Sequence, residues 1–390
     1  MDLPLAPPPA TPALRVVACT TPQALDALGE DWRALEIAAG DALLPFQTHA
    51  WLRAWWSTFA RHTPTRRDTL RILAFYDNHR LVAVLPLFET AVGIGPWPLL
   101  RCLRPLGADA NLTELRTPLA LPGYLPAVLE HALAAPPRGG TAPWVLQLVG
   151  PAAALEAAAR HHRSRLQAGA GRPIRNYLLP LAADWDTFRS GLKRNIKESL
   201  RHCYNALRRA DLSHELVVID EPAALRNHLP DFYRLHGLRA AMAASSVVHP
   251  DYFAVPRHRA FLEAAIDGLQ TGGRRDVLLL GLRVGGALVA WRLAFRCGRG
   301  LYLYYSGYDP AYARFSVMTT LLAETLRWCI GQGMTAVNLS IGTDVSKTRW
   351  GPAEVLYQET SFVPTTRLGG LSRRLLRVRR GTAAPRSAAA

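Results

Sequence analysis

Apolar positions in this chain change period in the same order twice, and that order predicts strand, two helices, hairpin, strand, helix, strand in each half. Residues 14–20 are a short β-rich run, after which Pro22 opens a helical stretch with Leu25, Leu28, Trp32 and Leu35 at helical spacing. HAWLRAWWSTFA then sets Trp51, Leu52, Trp55, Trp56 and Phe59 on one broad helical face. Three tryptophans so close predict anchors between helix and sheet, with stacking on a ligand as the alternative. TLRILAFYDNHRLVAVLPLF reads as a hairpin turning at Asp77-Asn78, and its nearly unbroken apolar arms predict strands covered on at least one face. A short strand at 96–105, a loop through GADANLTEL, a helix at 125–135 and a strand at 144–149 complete this half.

From about residue 180 the order begins again. A helix over 191–210 is followed by the strand HELVVID, helical stretches at 222–241 and 251–269, and the hairpin VLLLGLRVGGALVAWRLAF, whose Gly285-Gly286 is a strong two-residue turn signal. ALVAWRLAF (287–295) matches RLVAVLPLF (80–88) position for position in pattern, and the Val-Val pair at 217–218 matches that at 16–17. A tandem duplication of one α+β unit, with its seam near 170–180, accounts for this; a chance likeness of short apolar strands is the alternative. The divisions that follow are a Pro- and Ala-rich lead-in at 1–13, units at 14–175 and 176–366, and a basic tail at 367–390. In the helix at 191–210, Leu192, Ile196, Leu200, Cys203 and Leu207 make the packing seam, while Lys193, Arg194, Lys197, Arg201, Arg208 and Arg209 crowd the rest. That basic face is either ordinary solvated surface or a positive wall for a phosphate-bearing or acidic-polymer substrate.

Candidate chemistry concentrates in residues 299–352. RGLYLYYSG alternates, which predicts Tyr302 and Tyr304 on one face of a strand and Leu301, Leu303 and Tyr305 on the other. After a turn at Asp309-Pro310 and past Arg314, a helix opens at about Ser316, with Met318, Leu321, Leu322, Thr325 and Cys329 inward, Thr320, Glu324 and Arg327 toward water, and Gly331 and Gly333 at its end. A helix start directly after a strand exposes backbone N–H groups that favour an anion; Ser316 is the expected cap and Arg314 adds charge, so a diphosphate is the natural guest. No GxxxxGK[ST], HExxH, GxSxG or GxGxxG pattern occurs, and no metal site is expected.

On these residues a resemblance appears. YYSGYDPAYARFSVMTTLLAETLRWCIGQGMTAVNLSIGTDVSKTRWG resembles the C-terminal signature of the GNAT acyltransferase superfamily, nearest to its tandem, CelD-like branch associated with cellulose and exopolysaccharide synthesis. PFQTHAWLRAWW, RLVAVLPLF and GLKRNIKESLR resemble the same branch, so the similarity runs from about 14 to 365, with Fem-type aminoacyl transferases as more distant relatives. It implies an α+β fold of two tandem GNAT-like domains, each a mixed, mostly antiparallel sheet flanked by helices. It also implies acyl-CoA as co-substrate, held by Tyr305, Ser306, Arg314, Phe315, Ser316, Val317 and Met318, with a backbone N–H around 304–306 facing the thioester oxygen. ARFSVM departs from the Gln/Arg-x-x-Gly-x-Gly/Ala loop of that superfamily. GTDVSKTRWG matches a Gly-Asp…Lys…Trp-Gly pattern of the branch; Asp344 is then a general base or an orienter of Lys347, and Lys347 and Arg349 neutralise a phosphate or oxyanion. A plain surface salt bridge is the other reading of that loop. Tyr304, Asp344 and Lys347 form the implied catalytic set, and Lys193, Arg194, His236, Arg239, Arg349 and Trp350 the implied acceptor-binding set, with His249 beside it.

Composition adjusts this only at the margins. Part of the formal charge of +16 lies in the tail, where peripheral contact with a membrane surface is the reading retained and no specific nucleic acid is expected. Five scattered cysteines fit a reducing compartment, and without a leader or a long apolar run the expectation is a cytoplasmic protein. The function expected is acyl transfer from acyl-CoA to a sugar, nucleotide-sugar or polysaccharide precursor. The alternatives are a Fem-like aminoacyl transferase using aminoacyl-tRNA and a non-catalytic subunit of a polysaccharide synthesis system.

Overall fold

The computed structural model describes residues 14–94, 97–108, 111–134, 142–242, 250–367, 369–372 and 374; the lead-in, His249 and most of the basic tail lie outside them. From the N-terminus, β1 (Arg15–Cys19) leads to α1 (Pro22–Ala27), α2 (Gly29–Ala39) and α3 (His49–Phe59). Then come β2 (His62–Thr63), β3 (Arg66–Asp77), β4 (Arg80–Ile94), β5 (Trp97–Pro105), β6 (Leu119–Ala120), α4 (Leu125–Ala134), β7 (Trp144–Pro151), α5 (Ala152–His161) and β8 (Leu166–Ala168). β9 (Arg172–Pro180), α6 (Trp185–Gly191) and α7 (Arg194–Arg209) precede the repeat: β10 (His214–Ile219), α8 (Pro222–Ala240), α9 (Pro256–Leu269), β11 (Val277–Val284), β12 (Ala287–Cys297), β13 (Gly300–Tyr308), α10 (Val317–Gly331) and β14 (Ala336–Ile341). α11 (Val345–Thr348) and β15 (Ala353–Pro364) complete the chain.

Local chemistry sets these starts. Thr21 accepts the Ala24 N–H with Pro22 in the first turn, Thr48 accepts from Trp51, and Glu221 accepts from Ala224 ahead of Pro222, each supplying a partner to an otherwise orphaned helix donor. Asn78 turns the first long hairpin at φ +54°, and Gly285 and Gly286 turn its counterpart at φ +56° and +86°.

The predicted repetition is present in the sheet. β1-β3-β4-β5-β7 and β10-β11-β12-β13-β14 have the same order, with antiparallel neighbours until the last pair, which is parallel in both. The result is the mixed, mostly antiparallel sheet flanked by helices that was expected. Pattern alone did not show how the two runs join: β15 pairs with β7 on one side and β9 on the other, and β9 pairs with β14, so one sheet continues through both halves.

The tryptophan cluster of α3 is core, as its spacing predicts. Trp51 is fully enclosed; its ring meets Phe46 from its own half and Phe261, Phe295 and Tyr304 from the other, and its Nε1 donates to Thr113 Oγ1 at 3.1 Å. α3 also packs on α9, where Gly268 brings the helices together: a Cβ there would stand 3.0 Å from that of Ala50. The opposite face of the second run is covered by α7 and α10; the predicted seam residues Ile196, Leu200, Cys203 and Leu207 are buried on α7, and Leu192, which precedes it, is buried too. That packing corrects one expectation for α10. Thr320 is buried rather than turned to water, and Glu324 is half-buried, accepting the Tyr204 hydroxyl at 2.6 Å, because α7 lies over that side. The five cysteines are buried and none is bridged. Among the described residues no helix is long and apolar enough to cross a membrane.

Because Trp51 fills space between both halves, Trp51→Ala should cost about 3–5 kcal/mol, read as a lowered urea midpoint. Tyrosine fluorescence and circular dichroism should report one coincident transition, since the sheet and this contact tie the halves together.

Candidate active site

β13 and β14 are parallel neighbours only over 300–302 and 336–338; beyond Tyr302 and Asn338 they part. On the other side of β13 the register with β12 slips. Arg292 faces Ser306 and Ala294 faces Leu303, so Leu293 stands opposite both Tyr304 and Tyr305, a β-bulge. The bulge overturns the simple alternation: Tyr305 shares a side with Tyr304, their ring centroids 4.4 Å apart, instead of lying with Leu301 and Leu303. Where the strands diverge, a cleft of about 1040 Å³ opens, bordered by the bulge, the first turn of α10 and the 340–350 segment.

Two glycines shape its walls. A Cβ on Gly307 would lie 2.2 Å from the His236 nitrogen, so only glycine lets α8 rest directly on β13. That close approach delivers His236, whose Nδ1 is 3.2 Å from the Ser306 carbonyl oxygen, and Arg239, which donates to Ser306 Oγ at 2.7 Å. Burial pushes the His236 ring below the ordinary histidine range and lowers Arg239 as well. Gly342 sits at φ +112°, and a Cβ there would come within 3.2 Å of Asp344 Oδ2 and 3.6 Å of Lys347 Nζ. Just before it Ser340, at φ +70°, holds a left-handed conformation uncommon for a side-chain-bearing residue; its N–H donates to Asn338 Oδ1 at 2.9 Å.

Asp344 and Lys347 face each other across 3.9 Å, and Lys347 Nζ also donates to the Ile341 carbonyl. Burial lowers the Lys347 ammonium, opposed by the charges of Glu114 and Asp344. Glu114 comes from the first half, in the stretch NLTEL. It is enclosed, accepts from the Tyr302 hydroxyl at 2.6 Å and from Ser340 Oγ at 2.8 Å, and burial pushes its carboxyl up against the pull of Lys347. Asn111 of the same loop accepts the Tyr305 hydroxyl on its carbonyl at 2.9 Å, and the Leu112 carbonyl accepts that of Tyr304. The first half therefore supplies an acid to the cleft, although its sequence has no loop comparable to GTDVSKTRWG.

At the far end, Val317, Met318 and Thr319 present the first turn of α10. Ser316 occupies the cap position at φ +52°, but its side chain makes no cap bond; its carbonyl accepts from Thr319 and Thr320, which corrects the expected capping. Arg349 donates to Thr319 Oγ1 at 2.8 Å, leaving its Nε buried without a partner, and Trp350 is buried beside it. Of the residues singled out from sequence, the fold brings Tyr304, Tyr305, Ser306, Ser316, Val317, Met318, Asp344, Lys347, Arg239, Arg349 and Trp350 to this cleft, with His236 behind Ser306. Arg314 lies outside it, its guanidinium over the Phe315 ring, and Phe315 packs in the core behind. Lys193 and Arg194 are exposed at the start of α7, Arg194 paired with Glu198 at 2.7 Å, and do not line the cleft.

Sequence reasoning missed Glu114, Asn111, Ser340 and Arg292. Only Arg292 carried a signal, as the single charge inside the apolar run ALVAWRLAF. Its pKa is pushed down to about 10 by burial and by the neighbouring charge of Arg239. Four cations (Arg239, Arg292, Lys347, Arg349) against two acids (Glu114, Asp344) line the cleft among the described residues and make it attractive to anions. Among the described residues no group of three metal-ligating side chains comes together.

Comparison with known proteins agrees with this topology. Residues 194–348 match the family model described as acetyltransferase (GNAT) domain. FemX is similar in structure at a TM-score of 0.55 with 11% identity, covering 88% of this chain and 96% of that one. A conserved protein of unknown function from Bacteroides thetaiotaomicron VPI-5482 gives 0.50 with 10% identity, covering 89% and 100%. A tandem GNAT protein from the clavulanic acid biosynthesis pathway covers 90% and 99% at 11% identity, but at 0.40 the likeness is too loose to argue from. No curated protein matches the chain in sequence. The second half thus carries a GNAT-type fold, and the likeness to FemX extends over nearly the whole chain.

The His236 shift sets a pH dependence. Its folded value lies below that of the unfolded chain, so stability is complete above about pH 6.5 and is lost as the pH falls below it, where the unfolded ring gains a proton the fold resists. His236→Phe should lose less of its urea midpoint between about pH 7 and pH 5 than the unsubstituted protein.

Proposed function

We propose that this protein transfers an acyl group from a coenzyme A thioester to an amine or hydroxyl on a sugar, nucleotide-sugar or related precursor of the kind used in exopolysaccharide synthesis. One observation carries the reading: two parallel strands part beside a bulge, and the opening faces the N-terminal turn of a helix. That turn offers oriented N–H groups to a diphosphate, and Arg349, anchored on Thr319 with Nε unused, adds charge at the same place. These residues fit such a co-substrate even though ARFSVM lacks the usual glycines.

A thioester arrives already activated, so the chain has to supply positioning, proton removal and a counter to developing negative charge. Asp344, half-buried at the mouth, is placed to take the proton of an attacking group. Lys347, held by the Ile341 carbonyl between Asp344 and Glu114, meets developing negative charge, as does the backbone at the bulge around Tyr304. Glu114 keeps Tyr302 and Ser340 in place from below. The likeness to FemX supports a second reading, Fem-type aminoacyl transfer, in which the exposed basic face of α7 would meet RNA phosphates.

Acetyl-CoA or a longer acyl-CoA at a hundred times its dissociation constant should stabilise the protein by about 2.7 kcal/mol, seen as a raised melting temperature. Absence of a shift with every CoA species, together with a salt-sensitive complex with aminoacyl-tRNA, would move the assignment to the second reading. Asp344→Ala and Lys347→Ala should each lower acyl transfer roughly 10²- to 10⁴-fold with folding intact. Unchanged turnover or cell phenotype in both would leave a binding subunit instead of an enzyme.

A further inference from the structure

Arg292 is one of two cleft charges, with Arg239, that acyl transfer as described leaves unused. It stands on β12 between Trp291 and Leu293, which pack toward α8, so its side chain points to the face that α10 covers. There it borders the cleft with its Nε enclosed and without a hydrogen-bond partner. Among the described residues no carboxylate acts on its charge; the like charges of Arg239 and Lys347 do. Arg239 reaches in from α8 and donates to Ser306 Oγ, and Ser306 is the residue paired with Arg292 across the strands. Two guanidiniums from two sides of one sheet therefore converge on Ser306.

Like charges taken out of water repel each other and lose hydration, which penalises the empty protein and is offset when an anion enters between them. A guanidinium presents a planar fork of donors, which suits a carboxylate or phosphate held by two bonds. The α10 end of the cleft has its own cation, Arg349, fixed on Thr319, whereas Arg239 from α8 and Arg292 from β12 meet at Ser306 of β13. We infer that Arg239 and Arg292 form a second anion subsite, separate from the α10 end, and that it takes a carboxylate or phosphate carried by the acceptor. Calling the ligand an acceptor rests on the acyl-transfer reading; the anion site itself does not.

The test titrates D-glucuronate, uncharged D-glucose and inorganic phosphate onto the full chain by calorimetry, with and without saturating coenzyme A to fill the α10 end. Glucuronate and phosphate should bind the unsubstituted protein and Arg349→Met in both series, and glucose should not. Arg292→Met and Arg239→Gln should each weaken the anions about tenfold or more, and Arg292→Lys, which keeps the charge, should retain part of the binding. Ligand-free Arg292→Met should melt above the unsubstituted protein, because an uncompensated buried charge is gone; a residue with only a structural role would move the melting temperature down. The subsite is overturned if neither anion binds, if Arg292→Met and Arg239→Gln bind as well as the unsubstituted protein, or if coenzyme A or Arg349→Met abolishes binding, which would assign the anion to the α10 end. Glucuronate binding without any acyl-CoA binding would keep the subsite and remove the acyl-transfer reading; the reverse result would do the opposite.

Discussion

Three tyrosine hydroxyls of β13 hold the candidate site together. Tyr302 donates to Glu114, Tyr304 to the Leu112 carbonyl and Tyr305 to the Asn111 carbonyl, so one strand of the second half seats one loop of the first. The bulge is what makes this arrangement reachable, since strict alternation would send Tyr305 to the opposite face. With the loop seated, Glu114 is carried beneath Ser340 and within electrostatic reach of Lys347. Without it, the buried ammonium of Lys347 would face other cations with Asp344 alone against them.

The remainder of the site follows from that contact and from the shared sheet. β15 runs between β7 and β9, so the strand after GTDVSKTRWG is locked into both halves and fixes where that loop can lie. Gly307 and Gly342 then set how closely α8 and the Asp344–Lys347 turn approach. A cleft built this way concentrates positive charge where backbone from two parted strands is exposed, the setting on which the proposed phosphate-bearing co-substrate and acidic acceptor rest.

Much of the architecture was legible because it rests on periodicity. The duplicated order, both hairpins and the apolar seam of α7 are local patterns of two- or four-residue spacing, and the enclosed tryptophans of α3 follow from residue size. Ser316 and Thr320 show the limit of that method. The first was expected to cap and instead turns through a left-handed conformation; the second was expected in water and is covered by a helix more than a hundred positions earlier in the chain. For the site, Asp344, Lys347 and Arg349 stood out by residue type within one short loop. Glu114 did not, because nothing in NLTEL distinguishes a buried acid from a loop residue.

The sequence by itself determined the elements, their repetition and the segment, 299–352, where the candidate anion-binding and proton-handling groups lie near one another along the chain. Tertiary structure alone decided that the site is composite. Glu114 and Tyr302 are 188 positions apart, and the hydrogen bond between them depends on the pairing of distant strands, while Tyr305 reaches the Asn111 carbonyl of the same loop through a one-residue slip in register. Periodicity records which face a side chain takes in a regular strand; it carries no record of a bulge, or of which loop will lie against that face once the sheet has closed.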